Sequence, residues 1–202
     1  MSDAQPEAGA RRTFFREFLR HPGAIGSFVP SSRFLERRLV GVADIQRARL
    51  VVEFGPGTGG TTAAILRALP ADGRLLAIEI NLRFARRLSS LADPRLIVHA
   101  GDAVGLCDVL ADRGLCGPDV VLSGIPFSTM SAAEGRRILR GVWQALVPGG
   151  RFVAYQFRSV VGNLGREILG SPEVGIELRN APPMRVYCWR KPMQDDAIRA
   201  RN

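Results

Sequence analysis

The stretch Glu53-Phe-Gly-Pro-Gly-Thr-Gly-Gly60 decides how the rest of the chain is read. Before it runs LVVEF (50–54), apolar except for one acid, and after it TTAAILRAL (61–69). A short, near-continuous apolar run reads as a strand buried on both faces, and the segment after the glycines reads as a helix. Glycines between the two let the chain turn sharply and let its backbone approach a ligand closely. The first turn of the helix then offers unpaired N–H groups. Gly55, Gly57 and Gly60 satisfy G-x-G-x-x-G, the spacing of dinucleotide-binding turns. The unit predicts a cofactor site and does not, alone, choose the cofactor.

Outward from this loop the pattern alternates. RLLAIEI (74–80) is followed by LRFARRLSSL (82–91), RLIVHA (95–100), a helix over about 105–113, and DVVLSGI (119–125). Then come a long amphipathic helix, AAEGRRILRGVWQALV (132–147), the turn PGG, and the strand RFVAYQF (151–157). Strand and helix in alternation predict an α/β fold with a parallel sheet covered on both faces. The end breaks the rhythm: a helix, VVGNLGREIL (160–169), precedes GIELRN (175–180) and MRVYCWR (184–190), two strands joined by APP. A hairpin cannot continue a crossover, so one of its strands runs antiparallel. Residues 1–9 and 193–202 read as a disordered start and a polar tail, flanking an amphipathic, membrane-binding helical segment over 10–48 and a domain over 49–192.

With 202 residues, 46% of them hydrophobic, the chain can build one substantial core. Its net charge is +9, and Lys191 is the only lysine beside 27 arginines. Arginine forks onto phosphate, so a phosphate-bearing partner fits this composition. Three cysteines without a C-x-x-C, and only His21 and His99, indicate neither a disulfide framework nor a metal site. No run approaches the roughly 20 apolar residues of a membrane span, and MSDAQPEAGARR lacks the apolar core of a secretion signal. A cytoplasmic protein is expected.

Further motifs follow in order. Gly55, Gly57 and Gly59 also spell G-x-G-x-G, common in S-adenosylmethionine (SAM) enzymes, and Glu79 ends the second strand 20 residues after Gly59. Gly101-Asp102-Ala103 follows the third strand, Ser123-Gly-Ile-Pro-Phe127 the fourth, and Val147-Pro-Gly-Gly-Arg-Phe152 leads into the fifth. This series resembles the class I SAM-dependent methyltransferases. The resemblance implies a seven-stranded, mostly parallel Rossmann-like sheet with a C-terminal antiparallel hairpin. It implies SAM as cofactor, leaving as S-adenosylhomocysteine. It places Glu53, Gly55, Gly57, Gly59, Thr61, Glu79, Ile80, Gly101, Asp102, Ala103 and Ser123 around SAM. Glu79 would take the ribose hydroxyls, Asp102 would face the adenine, and Glu53 would reach the methionine amino group or fix the loop through backbone N–H bonds. A NAD-type reductase on the same loop is the competing enzyme class.

A narrower likeness rests on FFREFLR (14–20), Gly26-Ser-Phe-Val-Pro-Ser-Ser-Arg33, VVEFGPGTG, AIEIN and SGIPF. Together these resemble the bacterial phospholipid N-methyltransferases, which methylate phosphatidylethanolamine stepwise toward phosphatidylcholine. The likeness implies an amine held near Ser123, Gly124 and Ile125, whose carbonyls orient its N–H groups, with Tyr155 and Phe127 facing the growing cation. Ser31, Ser32, Arg158 and Arg185 become candidates for substrate, with Arg190 a further phosphate ligand. The rRNA adenine dimethyltransferases are the runner-up. They usually carry Asn-hydrophobic-Pro-aromatic where this chain has Ser123-Gly124, so no Asn amide holds a base edge here. A non-catalytic lipid-binding module would leave the loop and acid series without a role.

The N-terminal helix supplies the expected partner. Phe14, Phe15, Phe18 and Leu19 share one sector of a helical wheel, and Arg12, Arg16 and Arg20 lie opposite. A basic amphipathic helix with bulky aromatics is the pattern of an interfacial membrane binder. An anionic membrane surface, met from its inner face, is therefore the predicted partner, with no nucleic acid.

Overall fold

The computed structural model describes residues 31–193. Seven strands form one sheet: β1 Leu50–Phe54, β2 Arg74–Glu79, β3 Leu96–Ala100, β4 Val120–Ser123, β5 Arg151–Gln156, β6 Glu173–Glu177 and β7 Met184–Arg190. Their order is β3-β2-β1-β4-β5-β7-β6. Strands β1 to β5 pair in parallel, and β7 lies antiparallel between β5 and β6. The antiparallel pair is the expected C-terminal hairpin, with β6 beginning two residues before GIELRN.

Among the described residues six α-helices accompany the sheet, α1 Arg33–Ala43 ahead of β1 and five in the connections: α2 Gly60–Ala68, α3 Leu82–Ser89, α4 Leu106–Asp112, α5 Ala132–Ala145 and α6 Val160–Leu169. β1 is buried at all five positions, as its near-continuous apolar run requires. Side chains alternate across the sheet into two cores. One gathers Val52, Phe54, Val121 and Phe152 against Leu106 of α4, Ile138 of α5 and Leu164 of α6. The other gathers Val51, Leu75, Leu122 and Val153 against Leu35 and Leu39 of α1 and Ile65 of α2. Within the 10–48 segment, α1 is therefore an integral covering helix, capped by Ser32, whose Oγ accepts from Leu35 N.

Two local devices complete the frame. Gly162 and Gly165 let α6 lie directly on Tyr187 and Trp189; a Cβ at Gly162 would stand 2.5 Å from the Tyr187 ring. Lys191 donates from Nζ to the carbonyls of Trp143 (2.7 Å) and Leu146 (2.6 Å), meeting the open acceptors at the end of α5. The single lysine thus has a structural task.

Candidate active site

The strand order reverses between β1 and β4, and in open α/β sheets ligands bind beyond the strand ends at such a point. A cleft of about 450 Å³ opens there. Its floor is Gly55–Thr58, Gly60 and Thr61; its walls come from Gly124, Pro126 and Ser128 after β4, Tyr155–Arg158 at the end of β5, Ser31, Leu35 and Glu36 at the start of α1, and Asn180, Pro182 and Met184 of the β6–β7 turn. That volume suits a drug-sized ligand.

The glycine loop adopts a conformation other residues avoid. Gly55, Gly57 and Gly59 have φ of 66°, 55° and 89°, all in the left-handed region. A Cβ at Gly55 would also meet the Ile125 side chain at 2.7 Å. The loop is tied down from below by Glu79, which is 2% exposed. One carboxylate oxygen accepts from Gly57 N (3.0 Å) and the other from Asn81 N (2.8 Å). Burial pushes the Glu79 carboxyl up, and the N–H bonds from Asn81, Gly57 and Ile80 oppose that shift. A carboxylate has about four lone-pair sites, so capacity for further donors remains, although Glu79 itself does not line the cleft.

Glu53 lies deeper. It is 1% exposed, and its Oε2 accepts from the Thr62 hydroxyl at 2.7 Å. Its bond therefore goes to a side chain on α2 rather than to the loop's backbone N–H groups, one of the two roles expected of it. Burial pushes its carboxyl up to about 8; the Thr62 bond opposes this and the Glu79 charge adds to it.

At the other end of the cleft, Tyr155 leans over Gly124. A Cβ on Gly124 would meet the Tyr155 hydroxyl at 2.5 Å and the Gly55 carbonyl at 3.4 Å, so only glycine leaves this corner open. The Tyr155 hydroxyl lies 3.4 Å from Thr61 Oγ1, which in turn lies 3.5 Å from Ser31 Oγ. Burial, helped by the Glu53 charge, raises the Tyr155 pKa, so its hydroxyl stays neutral. The Ile125 carbonyl accepts from Gln156 Nε2 at 2.6 Å, which fixes the SGIPF turn.

Several expected site residues stand elsewhere. Phe127 is 1% exposed and packs toward Gly135 and the core, because the 3₁₀ turn Phe127–Thr129 rotates it inward; Pro126 and Ser128 line the cleft in its place. Asp102 caps the short turn after β3, accepting from Val104 N, and neither it nor Gly101 and Ala103 lines the cleft. Ile80 is exposed beside Glu79. Ser123 Oγ is buried without a hydrogen-bond partner. Ser32 spends its hydroxyl on the helix cap and its N–H on Asn180 Oδ1 (2.9 Å). Arg185 donates to the Phe157 carbonyl, and Arg190 lies at the opposite end of β7. Arg158 and Ser31 do line the cleft. Arg12, Phe14, Phe15, Arg16, Phe18, Leu19 and Arg20 lie outside the described residues.

Three cleft residues carried no motif. Glu36 on α1 approaches Gly60, with Arg67 at 3.7 Å; burial raises its pKa. Gln156 and Asn180 are buried amides, one on the Ile125 carbonyl and the other bridging Ser32 to the Pro182 carbonyl. All three act through the fold, at positions no local spacing marks. Among the described residues, no group of acids, histidines and cysteines could hold a metal ion.

No protein-family model matches the chain. The ornithine lipid N-methyltransferase of Singulisphaera acidiphila is 33% identical over 180 residues, 88% of this chain and 94% of that protein. The chain belongs to this lipid N-methyltransferase family. It is a class I SAM-dependent methyltransferase. The ribosomal RNA small subunit methyltransferase A of Laribacter hongkongensis is 39% identical, but over 72 residues, 35% of this chain and 26% of that protein. Among solved structures, the N-methyltransferase NodS of Bradyrhizobium japonicum, bound to S-adenosylhomocysteine, shares the fold at a TM-score of 0.64 and 14% identity, covering 90% of this chain and 98% of NodS. The SAM complex of the O-methyltransferase TomG of Streptomyces achromogenes gives 0.63 at 20% identity, over 93% of this chain and 91% of TomG. SAM is the cofactor, and the left-handed glycine loop beyond β1 offers a backbone surface that a ligand can approach closely.

Proposed function

We propose that this lipid N-methyltransferase methylates the amine of phosphatidylethanolamine, and of its mono- and dimethyl forms, at a membrane surface. The observation that carries the reading is the extent of the lipid-enzyme match. It spans 94% of the ornithine lipid enzyme, whereas the likeness to the rRNA enzyme spans 26% of that protein. The Ser123-Gly124 corner supports it, since Gly124 offers no side-chain amide for a base edge.

When bound, SAM would supply an activated methyl on a sulfonium to a neutral amine in line with it, leaving a neutral thioether; the ammonium formed in the first two additions then gives up a proton, and the quaternary product of the third has none to lose. The chain's own work is positioning. Gly55, Gly57 and Gly59 hold the cofactor against the sheet, with Glu79 under the loop. Gly55 and Gly124 leave the acceptor corner open beneath the Tyr155 hydroxyl. Gln156 holds the Ile125 carbonyl at the edge of that corner. Glu36 is the one carboxylate among the described residues that line the cleft, placed to attract an ammonium headgroup and to receive its proton. Arg158 at the rim is the candidate for the headgroup phosphate.

The test is labelled SAM offered in separate tubes to phosphatidylethanolamine vesicles, ornithine lipid vesicles and ribosomal RNA. Label in phosphatidylethanolamine is expected. Label in ornithine lipid alone would replace the substrate, and label in RNA alone would overturn the lipid reading.

A further inference from the structure

The outer edge of the hairpin carries apolar side chains that nothing among the described residues covers. Val174 and Ile176 are each 49% exposed, Leu178 74% and Phe157 53%. Register places Ile176 beside Arg185, and Arg185 beside Gln156, on one face of the sheet; Val174 lies beside Tyr187 on that same face. α6 covers Tyr187 and Trp189 but stops short of β6. Because β6 runs parallel to β5, Ile176 and Leu178 stand at the end of the sheet where the cleft opens. Phe157 belongs to both, lining the cleft while half-exposed. The turn between Leu178 and Met184 is one wall of the cleft: its inner side presents Asn180 and Pro182, and Leu178 is its most exposed apolar residue.

At the cleft end of this strip the exposed charges are basic, and the one exposed acid on β6, Glu173, lies at the far end of the strand. Arg158, next to Phe157 in sequence, and Arg185, which donates to the Phe157 carbonyl, are both exposed, and Arg179 follows Leu178. Arg38 reaches Gly175 from the other face. Glu177 is committed to Arg38 (3.0 Å) and Arg179 (3.2 Å), leaving the rim cationic. A second copy would bring the same basic rim and be repelled. Apolar side chains between arginines suit an anionic lipid surface, where the former enter the headgroup zone and the latter meet phosphates.

We propose that the β6 edge and the β6–β7 turn form a lipid-docking face, which seats the cleft mouth on an anionic bilayer. This rests on the lipid-acceptor reading and assigns the face to residues other than those of the basic N-terminal segment. Val174, Ile176 and Leu178 enter the bilayer interface, and the headgroup passes over Phe157 into the cleft.

The experiment uses the full chain and vesicles of phosphatidylglycerol and phosphatidylcholine, without any amine lipid. Ile176→Glu with Leu178→Glu should lower the vesicle partition coefficient by about tenfold or more, since interfacial binding scales with buried apolar area. Affinity for S-adenosylhomocysteine, and methylation of short-chain phosphatidylethanolamine dissolved as monomers, should be unchanged. In a Leu178→Trp variant, the emission of the introduced indole should shift to the blue on vesicle addition and be quenched by brominated lipid. An unchanged partition coefficient, or an emission from the introduced indole that stays that of water, would overturn the proposal. So would a loss of self-association in the double variant with partition intact, which would make the strip a contact between copies, or a large fall in its melting temperature, which would mean the chain itself covers the face. If wild-type protein fails to methylate the monomeric lipid, the phosphatidylethanolamine reading falls, and the partition result stands independently.

Discussion

Replacing Glu53 with glutamine should remove a pH dependence from the stability of the whole domain. Glu53 is fully enclosed, with Thr62 donating to it and the carboxyl of Glu79 and the hydroxyl of Tyr155 as titrating neighbours. Its folded pKa, about 8, lies above the usual 4.5. A raised carboxyl pKa means that the folded state holds the proton more tightly than the unfolded state. Stability is then greatest below pH 4.5 and falls as the pH rises toward 8. Between pH 5.5 and 7.5 this single group should cost about 2.5 kcal/mol. With a urea m-value of about 2 kcal/mol/M, the wild-type midpoint should drop by roughly 1 M across that interval. Glutamine keeps an acceptor for Thr62 and cannot ionise. Its midpoint should change by much less, so the two proteins converge, or cross, as pH rises. Urea melts followed by circular dichroism at both pH values supply the comparison. Parallel pH profiles for the two proteins would refute the argument and return Glu53 to an ordinary ionised state.

Three further substitutions probe the frame and the site. Gly124→Ala puts a methyl against the Tyr155 hydroxyl; turnover should fall by about tenfold or more, with affinity for S-adenosylhomocysteine and melting temperature little changed. Gly165→Ala drives a methyl into the Trp189 ring beneath α6, and should destabilise the domain by about 1–3 kcal/mol in thermal melts. Lys191→Met leaves the Trp143 and Leu146 carbonyls at the end of α5 without their cation, and should cost about 1–2 kcal/mol, read as a melting temperature a few degrees lower.

The frame was legible because it is written in short-range patterns. LVVEF is near-continuously apolar because β1 is buried on both faces, and the loop after it needs glycine at three left-handed positions. The hairpin announced itself by following a helix without a crossover, which forces antiparallel pairing. The acceptor end was less legible, since long-range placement decides it. Phe127 belongs to an SGIPF motif that suggests a ligand contact, yet the 3₁₀ turn directs it into the core. Ser32 looked available for substrate but is claimed by the cap of α1, a use its position before a helix allows. Glu36 enters the cleft only because α1 packs across α2, and Asn180 only because the β6–β7 turn folds back to Ser32. No spacing within either segment encodes those meetings.

Lipid mass spectrometry on mixed vesicles tests the central claim most directly. Purified protein and SAM are incubated with vesicles containing phosphatidylethanolamine, an ornithine lipid and phosphatidylglycerol, and the extracted lipids are weighed. The account predicts successive methyl additions on phosphatidylethanolamine, abolished in Glu79→Ala, which removes the carboxylate under the glycine loop. Unmodified lipids alongside S-adenosylhomocysteine that accumulates only when ribosomal RNA is added would contradict it.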